Sequence, residues 1–422
     1  MNVLIIGSGA REHAMGWKIS QSPALGKLYF APGNPGTANL GVNLSLSAGD
    51  FPGIGEAALE HGIGLLLVGP EGPLVEGIAD YFSREEKLKH IRVIGPKKSG
   101  ARLEGSKDFA KEFLTRHHIP TARYASFHKE ETEAGCRYLE TLRPPYVLKA
   151  DGLAAGKGVV ILESLDEAKA ALREMTAGKF GKAGDVVVIE EFLKGIELSV
   201  FVVTDGKEYV ILPEAKDYKR IGHNDTGLNT GGMGAVSPVP FADAGFMQKV
   251  EQRIIQPTIR GIQEDQLDYT GFIFFGLINC GGDPKVIEYN VRMGDPETEA
   301  VMLRIESDFL ELMNAAATGK LASYQLRTSP LVATTVMAVS QGYPGDFEKG
   351  KVISGYDKMD GACLFHAGTR MESGQLTTSG GRVLAVSATG QSRDEALAIC
   401  YQNLNLISYE GKYFRKDIGF DL

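Results

Sequence analysis

The chain has 422 residues, of which 43% are hydrophobic and 23% charged, and its formal net charge is -8. This length exceeds what one hydrophobic core usually supports and predicts roughly two to four domains. No window approaches the roughly 18 apolar residues that a membrane-spanning helix needs, and no run of Lys and Arg resembles a nucleic-acid-binding surface. We therefore expect neither a membrane nor a nucleic acid as a partner.

The cysteines and the first residues indicate the compartment. Cys136, Cys280, Cys363 and Cys400 lie far apart, without a Cys-x-x-Cys pair. This spacing argues against a disulfide framework and against a zinc site. The first residues lack the basic region, apolar stretch and cleavage site of a signal peptide. We expect reduced thiols and a cytoplasmic protein.

The first hundred residues alternate short apolar runs with helix-like stretches. The runs lie at 3–6, 27–31, 65–68 and 92–94, and each ends in a loop that contains Gly or Pro. Strands that alternate with helices predict a parallel sheet, and ligands bind outside the carboxyl ends of such strands. Residues 1–103 are thus predicted to form a Rossmann-like α/β domain whose loops line one crevice.

The pattern changes after this domain. Runs at 146–149 and 158–161 are joined by a Gly-rich loop that is too short for a parallel crossover, which predicts a hairpin. Further strands are predicted at 186–189, 198–203, 209–212, 272–279 and 285–289, with helices around 166–177 and 244–264. We expect a central domain at 104–325, with a flap subdomain at about 121–187.

The last ninety residues form a third predicted unit. Strands are expected at 334–340 and 382–387 and a helix at 393–404, after a polar stretch at 323–330. A small α+β domain over 326–422 follows from this pattern. The complete fold is therefore predicted to be a multidomain mixture of α/β and α+β units.

The stretch Gly7-Ser8-Gly9-Ala10-Arg11-Glu12-His13 follows a predicted strand and opens a helix. In this setting backbone N–H groups and the helix dipole hold an anion. The dinucleotide fingerprint fails, because Glu12 occupies the position of its third glycine and no acid follows the second strand. A phosphate is the favoured ligand, and the alternative is a tight turn that binds nothing.

A second Gly-rich stretch, Ala150-Asp151-Gly152-Leu153-Ala154-Ala155-Gly156-Lys157-Gly158, superficially resembles a P-loop. It is one residue too short, lacks the Ser or Thr after Lys157, and has a strand behind it. Three glycines and a lysine in a hairpin tip suit a flap over nucleotide phosphates, with Lys149 as a second cation. The alternative is a mobile hairpin without a ligand.

The order of the motifs is more specific than any one of them. The Lys149 hairpin, Glu190-Glu191-Phe192-Leu193, Glu197 and Glu288-Tyr289-Asn290 follow one another in the order of the ATP-grasp superfamily, which the chain resembles. Four stretches are similar to the phosphoribosylamine–glycine ligase family in particular, and with 415–419 the resemblance spans nearly the whole chain. These stretches are 7–13, 103–107, 229–235 and 292–298.

The resemblance implies a nucleotide site for ATP and for Mg²⁺ or Mn²⁺. We expect the phosphates to be bound by Lys107, Lys149, Gly156 and Lys157. The adenine amino group is assigned to Glu190, the adenine ring to the segment Glu191, Phe192 and Leu193, and the ribose to Glu197. The metal is assigned to Glu288 and Asn290. The last two lie two residues apart on a strand and share a face. Because the preceding strand offers no second acid, the number of ions stays open.

The resemblance also implies the substrates glycine and 5-phosphoribosylamine, joined in purine synthesis through an acyl phosphate. Arg292 is expected at the transferring phosphoryl group. Glycine is expected to contact Asp217, Lys219, Arg220, Asn229, Thr230, Gly231 and Gly232. Phosphoribosylamine is expected to contact Gly9, Arg11, Asn34 and Glu71. Asp295 either steers the amine or caps a helix. Phosphoryl transfer relies on positioning and charge, so no Ser, Cys or His nucleophile is expected.

Three other functions are compatible with parts of the sequence. They are another purine-pathway ATP-grasp enzyme with a different acyl donor, a nucleotide-binding regulatory protein, and a dinucleotide oxidoreductase. The stretch 229–234 argues against the first, and the missing third glycine argues against the last. Leu228 departs from the family, where many members carry proline, and we expect it to change loop stiffness rather than chemistry. We expect a monomer or a weak homodimer.

Overall fold

The computed structural model of the chain describes residues 1–153 and 158–422. Their strands form four larger sheets and two two-stranded ribbons. Among these residues no helix is both long and apolar enough to cross a membrane.

The N-terminal domain is built on a parallel sheet, as predicted. Its elements are β1 (Asn2–Gly7), α1 (Ala10–Ile19), β2 (Leu28–Pro32), β3 (Val42–Asn43), α2 (Phe51–Glu60), β4 (Ile63–Val68), α3 (Glu71–Glu76), α4 (Ile78–Arg84) and β5 (Arg92–Ile94). The strand order is β3-β2-β1-β4-β5. Along β1, Val3 and Ile5 pack into one hydrophobic cluster while Leu4 and Ile6 pack into another. Because side chains alternate along a strand, both faces of the sheet are covered.

A four-stranded antiparallel sheet forms the flap. The connecting helices are α5 (Lys98–Gly105) and α6 (Lys107–Arg116), and the flap contains β6 (Tyr124–His128), α7 (Thr132–Leu139), β7 (Tyr146–Ala150), β8 (Val159–Leu162), α8 (Leu165–Glu174) and β9 (Val186–Glu191). The order is β6-β9-β7-β8, and β7 and β8 form the predicted hairpin. β6 was not predicted. The flap has its own hydrophobic cluster, and it is therefore a separate packing unit.

The central domain contains a second antiparallel sheet, ordered β11-β10-β16-β17. Its segment comprises β10 (Ile196–Thr204), β11 (Tyr209–Ile211), β12 (Lys216–Asp217), β13 (Arg220–Gly222), β14 (Thr226–Asn229), β15 (Gly234–Ser237), α9 (Ala244–Val250), α10 (Gln256–Glu264), β16 (Gly271–Cys280), β17 (Asp283–Asn290), α11 (Glu297–Arg304) and α12 (Phe309–Ala317). β13 and β14 pair only with each other. The strands and helices predicted for this segment are present, and the short strands β12 to β15 were missed.

The C-terminal sheet reaches back into the central segment. Its own elements are β18 (Val332–Val339), β19 (Cys363–His366), β20 (Thr369–Glu372), β21 (Gln375–Thr378), β22 (Arg382–Gly390) and α13 (Arg393–Leu406). The strand order β12-β15-β18-β22-β19 places two strands from residues 216–237 at its edge. The strands β12 to β15 were not predicted from hydrophobic periodicity, because a strand of two to four residues is too short to show an alternation of apolar and polar residues. This sheet therefore anchors both ends of the segment predicted to bind glycine.

Candidate active site

The buried end of β9 carries Glu190, whose carboxylate lies between two lysines. Lys149 Nζ on β7 is 2.9 Å from Glu190 Oε1, and Lys111 Nζ on α6 is 3.0 Å from Oε2. Burial would raise the pKa of Glu190, but the lysines outweigh it and lower this pKa. Burial lowers the pKa of Lys111 to about 8. Two ammonium groups and one carboxylate leave a net positive charge beside the cleft.

This arrangement gives Glu190 partners that the sequence did not predict, and its contact with adenine stays a prediction. We predicted that its carboxylate accepts the adenine amino group, whereas the structure gives both oxygens a lysine partner. The carboxylate is therefore placed to orient Lys149 and Lys111. Sequence reasoning missed Lys111, although it lies four residues after Lys107 and thus on the same helix face.

Lys107 begins α6, and its Nζ donates to the carbonyl oxygen of Gly152 at 2.8 Å. Asp151 accepts the backbone N–H of Asp108 at 3.2 Å. The start of this helix and the base of the hairpin are thus joined. Burial lowers the pKa of Lys107 against the effect of nearby acids. Lys107 and Lys149 consequently share one edge of the cleft.

The linker from the flap sheet to the central sheet was predicted to hold adenine. The Glu191 carboxylate accepts the Arg123 backbone N–H at 3.0 Å and its Nε–H at 2.9 Å, which anchors the end of β9. Phe192 is exposed and Leu193 is half-buried. The linker thus presents backbone and an aromatic ring at the junction of two sheets. Two predicted phosphate ligands lie outside the described residues: Gly156 and Lys157.

Glu288 and Asn290 flank the buried Tyr289 on β17. In the pairing with β16, Gly276 lies opposite Glu288. The regular alternation at this point directs Glu288 and Asn290 to one face, and the glycine opposite supplies no second acid. Among the described residues no group of three or more His, Cys, Asp or Glu is arranged around a metal site. A carboxylate and an amide are therefore a partial ligand set.

Arg292 connects this face with the N-terminal domain. Its Nη2 is 2.9 Å from Glu104 Oε1 and donates to Asn290 Oδ1 at 3.1 Å, while its Nε is 3.4 Å from Glu71 Oε2. Glu104 also accepts the Val291 N–H at 2.8 Å. Burial raises the pKa of Glu104 despite Arg292. Glu104 was not predicted as a site residue, although it lies in one of the stretches that carry the family resemblance.

The Gly7-Ser8-Gly9 turn already contacts an internal anion. The Glu12 carboxylate accepts the Gly9 N–H at 2.7 Å and the Arg11 Nε–H at 2.6 Å. Cβ atoms at Gly7 and Gly69 would lie 2.5 and 2.1 Å from Glu12 atoms, so these glycines make room for this side chain. In this structure Glu12 caps the helix and accepts the Gly9 N–H that we predicted for a phosphate, and the phosphate contact at this turn stays a prediction.

Asn34 is also occupied by protein groups. Its Nδ2 donates to the Ser8 carbonyl at 2.9 Å and to the His366 carbonyl at 2.8 Å. Its Oδ1 accepts the N–H groups of Gly36 and Thr37. We predicted direct substrate contact, whereas the side-chain amide in this structure ties the first-domain loops to the C-terminal domain.

Lys219, which was predicted at glycine, forms a cluster with two acids, in which Asp217 is largely covered while Lys219 and Glu197 are partly exposed. Lys219 Nζ is 2.7 Å from Glu197 Oε2 and 4.0 Å from Asp217 Oδ1. Glu197 was predicted at the ribose, and Lys219 is the principal cause of its lowered pKa. Glu297, which was not predicted, accepts the Ser199 hydroxyl at 2.8 Å. Burial and Asp217 raise the pKa of Glu297 to about 7.

The loop after β14 is fixed from both sides. Thr230 donates to the Lys219 carbonyl through its N–H and its hydroxyl, both at 2.7 Å. The Gly231 N–H donates to the Tyr343 hydroxyl at 2.8 Å, and Arg382 Nη1 donates to the Gly231 carbonyl at 2.6 Å. Two residues of the C-terminal domain thus hold the Gly231 peptides.

Gly232 and Asp295 meet at the same point. Gly232 has φ of +116°, and a Cβ there would lie 2.4 Å from Pro296 Cδ, so only glycine fits. Asp295 Oδ1 is 3.0 Å from Arg382 Nη1. α11 has no side-chain cap, which removes the alternative that Asp295 caps it. A Cβ at Gly9 would lie 3.6 Å from Asp295 Oδ2, so this acid lies between the first-domain turn and the glycine loop.

Ion pairs thus connect predicted site residues across the three units, as between Arg292 and Glu71 and between Asp295 and Arg382. Arg220 and Asn229 are paired across the β13–β14 ribbon, and Arg220 Nη1 donates to the Gly227 carbonyl at 2.8 Å. They lie at the base of this ribbon, directly beside Lys219 of the Asp217 cluster.

Comparison with known families matches three segments of the chain. The N domain of phosphoribosylglycinamide synthetase matches residues 1–104, its ATP-grasp (A) domain residues 105–298, and its C domain residues 333–421. The chain belongs to the phosphoribosylglycinamide synthetase family. The resemblance found in the sequence is thereby confirmed.

Curated members of the family are named phosphoribosylamine–glycine ligases. The ligases of Pasteurella multocida and Pseudomonas aeruginosa are each 46% identical to this chain, over 100% of the chain and 98% of the relative. The crystal structure of phosphoribosylamine–glycine ligase from Thermotoga maritima has a TM-score of 0.85 at 36% identity, and the match covers 99% of this chain and 100% of that one. The protein is an ATP-grasp ligase.

More distant structures share the fold alone. A biotin carboxylase domain from Hydrogenobacter thermophilus, in complex with MgADP, matches with a TM-score of 0.72 at 17% identity and covers 98% of this chain and 91% of that one. Together with the family match, this confirms the predicted ATP-grasp architecture with a Rossmann-like N-terminal sheet.

Proposed function

We propose that this member of the phosphoribosylglycinamide synthetase family joins glycine to 5-phosphoribosylamine in de novo purine synthesis. ATP is converted to ADP and phosphate, and glycyl phosphate is the intermediate. The observation that carries this proposal is the match of all three family domains, in order, over nearly the whole chain. The charge pattern of the cleft supports it.

The nucleotide end is proposed from the lysine cluster. Lys107 and Lys149 bind the phosphates, and Lys111 adds positive charge behind them through Glu190. Such charge stabilises phosphoryl transfer more strongly in a cleft than in water. Leu193 and its neighbours contact the adenine. When ATP binds, Glu197 gives up its ion pair with Lys219 and accepts hydrogen bonds from the ribose hydroxyls.

The proposed metal is Mg²⁺ or Mn²⁺, held by Glu288 and Asn290. These residues suit such ions because both offer oxygen atoms, which Mg²⁺ and Mn²⁺ prefer as ligands, on one face of β17. Phosphate oxygens and water can supply the remaining ligands. When bound, the ion neutralises phosphate charge. Arg292 donates to Asn290, and this contact supports our assignment of its guanidinium to the reacting phosphate.

The acyl transfer follows in two steps. A glycine carboxylate oxygen attacks the γ-phosphorus of ATP, and the bond to ADP breaks. The amine nitrogen of phosphoribosylamine then attacks the glycyl carbon, and phosphate leaves with the C–O electron pair while the nitrogen loses a proton. We assign Lys219 to the glycine carboxylate and Asp217 to its ammonium group. We assign Asp295 to orienting the incoming amine.

The phosphoribosylamine side and the assembly complete the proposal. Arg11, Glu71 and the Gly9 turn contact this substrate, while Asn34 positions the turn. We propose functional domains at 1–103, 104–325 and 326–422, with the flap at about 121–187, and a cytoplasmic monomer or weak homodimer. We propose small molecules as the ligands, and neither a nucleic acid nor a membrane as a partner.

The test is ADP release from MgATP with glycine and freshly made phosphoribosylamine, each omitted in turn. We expect release to require both. Glu288→Ala should reduce it at least about a hundredfold because the phosphate charge loses a hard-oxygen site. The exposed Glu112 on the same domain supplies the matched control, and Glu112→Ala should behave as the unmodified protein. Release that ignores glycine contradicts the proposed reaction.

A further inference from the structure

The ribbon formed by β13 and β14 is too small to hold its own position. Its ladder has two residue pairs, Arg220 with Asn229 and Gly222 with Thr226, and a register irregularity between them. Residues 226–229 are all exposed. A two-stranded ribbon without further packing is marginally stable in water. Something outside the ribbon must therefore fix it.

The chain's last residues provide this support. Arg415 is completely buried, and its Nη1 donates to the Arg220 carbonyl at 3.1 Å and to Asp225 Oδ1 at 2.7 Å. Its Nε and Nη2 donate to Asp417, both at 2.9 Å. Asp417 in turn accepts the Asn224 N–H at 2.6 Å. One buried guanidinium thus connects the first strand of the ribbon, its turn and the C-terminal segment.

Two flanking contacts extend this support along the ribbon. The Tyr413 hydroxyl donates to the Ile221 carbonyl at 2.9 Å, and the Lys416 N–H donates to His223 Nε2 at 3.2 Å. Together with the bonds of Arg415 and Asp417, these contacts reach five of the six residues 220–225, all except Gly222. The contacts are to backbone groups or to side chains of the turn, so they define the path of the ribbon.

The turn is itself adapted to these bonds. Asn224 and Asp225 have φ of 52° and 51°, in the left-handed region where Asn and Asp are the best-tolerated residues after glycine. This conformation directs the Asn224 N–H to Asp417 and the Asp225 carboxylate to Arg415. A buried arginine with two carboxylate partners is satisfied, and its removal leaves both acids without a cation.

We propose that residues 413–417 are a positioning segment for the glycine site, with Arg415 as its central positioning residue. This inference rests on the proposed function, because it assumes that glycine binds at the base of the ribbon. Lys219 and Thr230 close this base through two hydrogen bonds, and Lys219 lies directly before β13. A ribbon held in place by the C-terminal segment therefore holds Lys219 and Thr230 in register.

The sharpest variant removes one charge and retains the shape. Asp225→Asn keeps a residue that tolerates the left-handed turn, and it weakens the bond to Arg415 without opening the core. We expect amide hydrogen exchange over 220–229 to accelerate roughly tenfold, as loss of one charge-assisted hydrogen bond produces. The KM for glycine should rise by a similar factor, while the KM for ATP stays within about twofold.

Controls separate positioning from general stability. Tyr413→Phe should raise both the amide exchange over 220–229 and the KM for glycine, by smaller factors than Asp225→Asn. Arg415→Lys should change these two quantities less than Arg415→Met does. Asp357 and Tyr356 are exposed in the same domain, and Asp357→Asn and Tyr356→Phe should change neither exchange nor KM.

Two results would overturn the inference. One is unchanged exchange over 220–229 in Asp225→Asn, because the C-terminal segment then does not hold the ribbon. The other is accelerated exchange with an unchanged KM for glycine, because the ribbon then does not position this site. Failure of the proposed function is distinguishable from both, since it shows in the unmodified protein as ADP release that ignores glycine.

Discussion

Two buried carboxylates, Glu12 and Glu190, lie where the sequence predicted ligand contacts, and each is held differently. Glu12 takes one backbone N–H and one arginine at the turn of the N-terminal domain. Glu190 takes two lysines in the nucleotide cleft. Glu12 therefore neutralises the positive groups of its site, whereas Glu190 leaves one positive charge in excess.

This difference shows two uses of an internal acid at an anion site. In the N-terminal turn the carboxylate contacts the backbone N–H and the arginine that we propose for an anionic ligand. In the nucleotide cleft the carboxylate aligns cations and leaves them with net charge for ATP. The protein itself thus neutralises the positive groups at the first position, whereas an excess of positive charge remains at the second.

The largest expected effect is at Glu190. Glu190→Gln leaves Lys149 and Lys111 buried without a counter-charge, and breaking such a buried pair costs about 3–5 kcal/mol. We expect a lower midpoint of thermal unfolding and a weaker affinity for ATP because Lys149 loses its orientation. Differential scanning calorimetry and ATP titration measure the two effects.

Glu191 supplies the matched control for this prediction. It is the next residue on the same strand, and its partner Arg123 is exposed. Ion pairs at the surface contribute little to the free energy of unfolding, so Glu191→Gln should leave the midpoint of thermal unfolding nearly unchanged. Equal effects of the two variants would contradict the distinction between the lysine cluster and its surroundings.

The N-terminal site is further distinguished by neutral histidines at its border with the C-terminal domain. His13 Nδ1 accepts the His366 N–H at 2.9 Å, and the His366 ring contacts the Thr369 hydroxyl at 3.0 Å. Burial and the neighbouring His366 lower the pKa of His13 to about 3, and burial lowers that of His366 to about 4. The nucleotide cleft has no comparable pair among the described residues.

The second prediction follows from these pKa values. Below the ordinary histidine pKa of 6.5 the unfolded chain binds protons that the folded chain does not, so stability falls as pH decreases from 6.5 towards about 3. At pH 5 each histidine accounts for a loss of about 2 kcal/mol. Thermal midpoints at pH 7.5 and pH 5 measure this loss.

His13→Gln tests the assignment of this pH dependence. Glutamine retains an acceptor for the His366 N–H but does not titrate, so the difference between the two midpoints should shrink. His90→Gln, at an exposed position, should keep the full difference. An unaltered pH dependence in His13→Gln would show that other groups cause it.

The fold was largely predictable because its long elements carry strong patterns. β1 and β4 read as apolar runs that end in Gly loops, and the β7–β8 hairpin was fixed by its short connection. The ribbon β13–β14 was missed because its strands are short and polar, and its position depends on Arg415, almost two hundred residues later. Long-range contacts of this kind leave no local periodicity.

The candidate site was predictable in its members rather than in their contacts. Motif order brought Glu190, Glu288 and Arg292 to attention, and the structure places them in one cleft. Which group each side chain contacts depends on the tertiary fold: Glu190 meets Lys111 from another element, and Arg292 meets Glu71 from another domain. The residue types in a motif predict which chemistry the site can support. Which charged side chains pair with each other can be seen only in the three-dimensional structure.

The smallest expected effect concerns Glu12. If its carboxylate occupies the place of a phosphate charge, Glu12→Gln removes a repulsion across a few ångströms and retains the hydrogen-bonding shape. Affinity for ribose 5-phosphate, measured by calorimetric titration, should then rise roughly fivefold. The exposed Glu60 in the same domain gives the control, since Glu60→Gln removes the same charge at a distance. Unchanged or weaker binding in Glu12→Gln would mean that Glu12 serves the ligand by holding Arg11, and the two buried carboxylates would then act alike.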